Sequence, residues 1–131
     1  MNGKEIVSAF YKAAFADKDA GKSAEYLSED FIHNGQKRGR EGQKKIVQYF
    51  LSAFPDLKHE IVLLLEDGDY VTARQAWSGT HTGEFGGILP TGKKINFDST
   101  AVLKVKDNVI VEAWDCLDMY NIYKQMGEVP L

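Results

Sequence analysis

Two segments hold the residues best suited to moving protons. Trp77 to Lys93 reads W-S-G-T-H-T-G-E-F-G-G-I-L-P-T-G-K and contains His81, and E-A-W-D-C-L-D near the C-terminus contains Asp115 and Asp118. A carboxylate or imidazole in an apolar pocket can take a proton from carbon and return it to oxygen, provided its surroundings hold it in the required state. Asp115 is the leading acid–base candidate; otherwise it is a strand-end Asp bonding a turn or a helix N-terminus. His81 shares a strand parity with Trp77 and reads either as a second catalytic group or as a strand-end His bonding backbone. His33, beside Asn34, reads as a donor at a pocket rim or as a buried, satisfied imidazole. His59 alternates with apolar residues and is expected to be exposed.

Other chemistries find little support. No two histidines share a ligand spacing and no Cys/His cluster exists, so no metal is expected. Ser78, Thr80 and Ser99 lack a nucleophile-elbow context. Gly87 to Lys93 matches G-x-x-x-x-G-K, yet Pro90 interrupts it, Lys94 stands where Ser or Thr would hold magnesium, and a strand rather than a helix should follow. It reads as a connection. The net charge of −3, with Lys and Arg scattered, gives no basic face for nucleic acid. The lone Cys116 excludes an internal disulfide, and no run approaches the ~20 apolar residues of a membrane span. With a charged amphipathic start in place of a signal peptide, a cytoplasmic protein is the simplest expectation.

The elements that must position these groups follow from periodicity. A chain of 131 residues suits a single domain over 1–131. Ile6, Val7, Phe10, Tyr11, Ala14 and Phe15 recur at helical spacing, which predicts a helix from Gly3 to Ala16, with Asn2 and Glu5 as its capping pair. A short helix over Ala20–Leu27 precedes a strand at Phe31–His33. A third helix runs from Arg40 until Pro55 stops it. Four long strands follow, at Leu57–Glu66, Tyr70–Thr82, Lys94–Lys106 and Val109–Leu117, with Glu66-Asp67-Gly68-Asp69 as a hairpin turn. Met119–Met126 forms a last helical turn ended by Gly127. Helices followed by an antiparallel meander make an α+β pattern.

Patterning also sets which side chains point inward. Ile95, Phe97, Ser99, Ala101, Leu103 and Val105 share one face. Val109, Val111, Ala113, Asp115 and Leu117 join it if Val105 sits opposite Val109 across a three-residue loop, Lys106–Asn108, with Asn108 left-handed. Asp115 then projects among apolar side chains, where it must find a partner, reach water or become neutral. Ile110, Trp114 and Cys116 fall on the outer face, which suits a partner surface. Asp118 points outward unless a bulge intervenes. Tyr11, Phe50, Trp77 and Phe97 are core aromatics that would also wall a cavity for a small molecule.

Taken together, A-F-P-D (Ala53–Asp56), E-D-G-D (Glu66–Asp69), G-T-H-T-G-E-F-G-G (Gly79–Gly87), P-T-G-K (Pro90–Lys93), E-A-W (Glu112–Trp114), Asp118 and Q-M-G (Gln125–Gly127) resemble the SnoaL-like polyketide cyclases, or ester cyclases, in family order. The resemblance implies a cystatin-like α+β barrel of the nuclear transport factor type, with a curved antiparallel sheet wrapped around the N-terminal helices and a deep pocket. It implies a homodimer or higher oligomer joined through the outer sheet face. It also implies an intramolecular aldol reaction without cofactor or metal, a pocket aspartate moving the proton. That aspartate corresponds to Asp115, a second acidic position to Asp118, a pocket Asn to His33 or its neighbour, and the H-T-G histidine to His81. Where these cyclases carry Gln and His, this chain has Ser99 and Ala101. The ligand-contact candidates are then His33, Trp77, Ser99, Phe97, Phe50 and Tyr11. The alternative function is a ligand-binding or regulatory dimer that uses the same pocket without turnover.

Overall fold

Asn2 and Glu5 start the chain by closing a capping box. The Glu5 backbone N–H donates to Asn2 Oδ1 at 2.9 Å, and the Asn2 N–H donates to Glu5 Oε1 at 3.1 Å. Helix α1 (Gly3–Tyr11) then buries Ile6, Val7, Phe10 and Tyr11 along one stripe. It widens into a π-helical turn at Lys12–Ala16 that buries Ala13, Ala14 and Phe15. The computed structural model describes residues 1–127.

Helix α2 (Ala20–Ala24) stops short of the expected Leu27, because Leu27 opens strand β1 (Leu27–His33) and is buried there. A two-residue strand β2 (Gln36–Lys37) turns back on β1. Helix α3 (Gly39–Ala53) ends before Pro55, as its sequence requires. Strands β3 (Lys58–Asp67), β4 (Tyr70–Thr80), β5 (Lys94–Lys106) and β6 (Val109–Leu117) lead to helix α4 (Met119–Met126), closed by Gly127 at φ 84°. The G-x-x-x-x-G-K segment lies in the connection before β5 and opens no helix.

The sheet runs β2-β1-β6-β5-β4-β3. It departs from a pure antiparallel meander at one place: β1 pairs with β6 in parallel, His33 beside Ala113. Alternation in a sequence reports which face a residue takes but not which strand lies next to it. Helix α1 lies across β3 to β6, so the sheet's inner face and the helix stripe form one core. Phe54 at its centre is fully buried, and truncating such a residue costs about 3–5 kcal/mol.

The register between β5 and β6 corrects the expected three-residue loop. Val105 pairs with Ile110 and Lys106 with Val109, so the turn is Asp107–Asn108, both left-handed at φ 53° and 63°. Two left-handed residues match the twist of the strands they join. Between Lys104 and Val105 the partner jumps from Glu112 to Ile110, which leaves Val111 bulged. The bulge reverses parity. Ile110 is therefore buried in the core and not on the outer face, while Ala113, Asp115 and Leu117 still face inward. A cross-strand row of Trp114, Val102, Thr72 and Leu65 covers the outer face, with Trp114 and Leu65 exposed.

Candidate active site

A cavity of about 110 Å³ opens between the helices and the sheet. The first helix and its π turn supply Phe10, Tyr11 and Phe15; β1 and the residue after it supply Leu27, Phe31, His33 and Asn34. Helix α3 contributes Gln43, Ile46, Val47 and Phe50, and the sheet closes the wall with Trp77, Leu103, Ala113, Asp115 and Leu117. The lining is mostly apolar, with few polar groups to orient a guest, as small-molecule sites generally are.

Asp115 is placed by its backbone. Asn34, left-handed at φ 50°, accepts from the Asp115 N–H at 2.8 Å and donates to the Asp115 carbonyl at 3.2 Å. The Asn34 N–H itself donates to Ala113 O at 2.9 Å. These bonds tie the end of β1 to the stretch of β6 that carries the carboxylate. Asp115 Oδ2 lies 3.8 Å from His33 Nε2, within ion-pair reach but too long for a hydrogen bond. Oδ1 is buried and has no hydrogen-bond partner among the described residues. The same holds for Gln43 Oε1. The site therefore presents a carboxylate with a lone pair unengaged by protein, beside an imidazole.

The remaining expected residues divide sharply. His33, Trp77, Phe50 and Tyr11 line the cavity. Ser99 and Phe97 stand behind it, not in it: Ser99 Oγ accepts from Trp77 Nε1 at 2.8 Å, and Phe97 stacks on the Trp77 ring at 5.9 Å. Both support the tryptophan that makes contact. His81 is buried outside the cavity, its Nδ1 2.9 Å from Thr91 Oγ1 and its ring against Phe54. It pins the loop before β5. Asp118 is exposed and caps α4 by accepting from the Asn121 N–H at 3.2 Å. A carboxylate there satisfies orphan helix N–H groups, a sufficient reason for its presence.

His59 is a further correction. It is half-buried rather than exposed, since its pairing with Trp77 turns it inward. Its ring lies 4.2 Å from Trp77 and 5.0 Å from Tyr11. Burial lowers its pKa below the ordinary 6.5, and its bond to Gln75 partly opposes this. Gln75, fully buried, was missed although it carried the signal that revealed Asp115, a polar residue among Val71, Ala73 and Trp77 on an apolar face. Burial first, and the charge of Asp115 second, push the Tyr11 hydroxyl well above the usual tyrosine range.

Comparison with known proteins identifies the family and agrees with the fold. The SnoaL-like polyketide cyclase family model matches residues 5–126. Aklanonic acid methyl ester cyclase DnrD from Streptomyces peucetius is 30% identical over 106 residues, covering 79% of this chain and 73% of its own. AclR, a candidate hydroxylase from Streptomyces galilaeus, superposes with a TM-score of 0.85 at 27% identity, covering 97% of this chain and 96% of that one. TsrD from Streptomyces laurentii superposes at 0.89 over 98% and 100% of the two chains, and at 22% identity it speaks for the fold alone. No helix among the described residues is long and apolar enough to cross a membrane.

Proposed function

The chain belongs to the SnoaL-like polyketide cyclase family, and from that premise we propose that it performs cofactor-free acid–base chemistry on a small carbonyl compound, with Asp115 as the proton carrier. The observation that carries this reading is the Asp115 carboxylate in the wall of an apolar cavity, one oxygen unpartnered and the other facing His33. A carboxylate held there can accept a proton from the carbon beside a carbonyl and return it to oxygen after ring closure or isomerisation. Asn34 fixes its position and the aromatic wall keeps bulk water away, which strengthens each polar contact inside.

Size narrows the class. An apolar cavity of ~150 Å³ accepts benzene, so about 110 Å³ encloses a portion of substrate on the order of one ring. The rest of a larger molecule would stay at the mouth. We further propose a homodimer closed over the outer-face row of Trp114, Val102, Thr72 and Leu65, since such apolar rows on a sheet suit a second copy. The exposed, free Cys116 suits a reducing, cytoplasmic setting.

The direct test is catalysed exchange of the α-protons of single-ring ketones and β-keto esters in deuterium oxide, followed by NMR. The proposal expects exchange well above the buffer rate for members of the set that bind. Binding without exchange across the whole set would contradict it and leave a ligand-holding module.

A further inference from the structure

Removing a proton beside a carbonyl leaves negative charge on oxygen, and a cavity of acceptors alone would leave that oxygen unpaired. Two of the donors at this site are already committed. Trp77 Nε1–H is spent on Ser99, and the Asn34 amide on the Asp115 backbone. The two fully buried side-chain atoms of the lining without a hydrogen bond, Asp115 Oδ1 and Gln43 Oε1, are acceptors, and the His33 ring faces the carboxylate at 3.8 Å.

A buried chain of hydrogen bonds supplies a donor whose direction is fixed by its neighbours. His59 Nε2 lies 2.6 Å from Gln75 Oε1. An amide oxygen can only accept, so His59 carries its proton on Nε2. The amide is thereby oriented, and Gln75 Nε2 donates to the Tyr11 hydroxyl at 3.2 Å. This bond occupies a lone pair of the hydroxyl and leaves its own proton without an acceptor in the hydrogen bonds of the described residues. Tyr11 is almost wholly buried and lines the cavity that Asp115 lines.

We infer that Tyr11 is the electrophilic catalytic residue of this site, its hydroxyl donating to the substrate oxygen on which charge develops, with Gln75 and His59 as positioning residues that set the direction of donation. The inference rests on the acid–base reading of Asp115. In the step it serves, the Asp115 carboxylate takes the α-proton and the C–H electron pair becomes the enolate double bond. The carbonyl π pair moves onto oxygen, where the Tyr11 O–H holds it without transfer. The pair on that oxygen then re-forms the first C=O, and the enolate double bond supplies the pair that joins its carbon to a second carbonyl carbon. The π pair of that second carbonyl moves to its own oxygen, which takes the proton back from Asp115. Nothing is oxidised or reduced.

The test uses 4-nitrophenolate as a ring-sized oxyanion and nitrobenzene as the same ring without the charge. Both are titrated into Asp115→Asn, which presents the neutral side chain that exists while the oxyanion does. Adding Tyr11→Phe should weaken 4-nitrophenolate binding by at least about 10-fold, the loss of a charge-assisted hydrogen bond, while nitrobenzene changes by less than about 2-fold. Gln75→Leu should give a smaller loss with the same selectivity, because the hydroxyl stays but is no longer directed. Unchanged phenolate affinity in Tyr11→Phe would overturn the inference. Equal losses for both probes would also overturn it, leaving Tyr11 a packing residue. Turnover plays no part, so the two readings fail separately. If α-proton exchange depends on Asp115 but phenolate affinity ignores Tyr11, only the donor falls. If exchange survives Asp115→Asn while phenolate affinity needs Tyr11, only the proton carrier falls.

Discussion

At the scale of single residues, the site is built from polar groups placed where an apolar side chain would pack equally well. Asp115 follows Ala113 on the inner face of β6, Gln75 sits between Ala73 and Trp77 on β4, and His59 lies opposite Trp77. Each costs stability that a hydrophobic residue would not, so each needs a partner or a task. The cost for His59 takes the form of a pH dependence. Its folded pKa lies below the unfolded value of 6.5, so the unfolded chain binds the proton more readily. The neutral ring's contribution is therefore complete above about pH 6.5 and is lost as pH falls from there through the depressed folded value. His59→Gln keeps a hydrogen-bonding side chain and removes the titration. Melting temperatures between about pH 5 and 8 should fall more steeply towards acid in the wild type than in this variant. Parallel curves would show that His59 is solvated in solution.

At the scale of elements, the junction of β1 with β6 governs the site, because Asn34 clamps the backbone of Asp115 from the end of β1. Asn34→Gly preserves the left-handed backbone at φ 50° and deletes both side-chain bonds. It should lower the stability measured by urea unfolding by about 1–2 kcal/mol and slow α-proton exchange more than it weakens probe binding. Full exchange activity in that variant would show that the clamp does not place the carboxylate. Elements bounded by strong turn residues were legible in the sequence: β5, β6 and α4 begin and end where patterning puts them. The β1–β6 pairing was not, because alternation carries no record of neighbours. Val109-Ile110-Val111 offers three apolar residues in succession, so no alternation marked the bulge, and Ile110 was assigned to the wrong face. The inward direction of Asp115 survived because the shorter turn and the bulge each move the register by one residue in the same sense, and two such shifts restore parity. Tyr11, Phe50, Trp77 and His33 were legible as aromatic or polar members of inner faces. His81 and Asp118 lie away from the cavity, since strand-end positions serve loops and helix caps as readily as they serve pockets.

At the scale of the whole molecule, the sheet has one face committed to the cavity and another that carries the row of Trp114, Val102, Thr72 and Leu65. Replacing Trp114 with Glu places a charge in the proposed dimer contact and should weaken association by about 10-fold or more, seen as a shift towards monomer in sedimentation velocity. A wild type that sediments as a monomer at micromolar concentration would remove the dimer while leaving the cavity unaffected. The central claim concerns what that cavity does. Its most direct test compares wild type and Asp115→Asn in the α-proton exchange of a single-ring ketone that both proteins bind. Asn preserves shape and hydrogen bonding but cannot hold the proton. If Asp115 carries it, the variant binds the ketone as before and exchanges its protons more slowly by about 100-fold or more, the usual effect of losing a general base. Exchange at the wild-type rate with the ketone still bound would contradict the account.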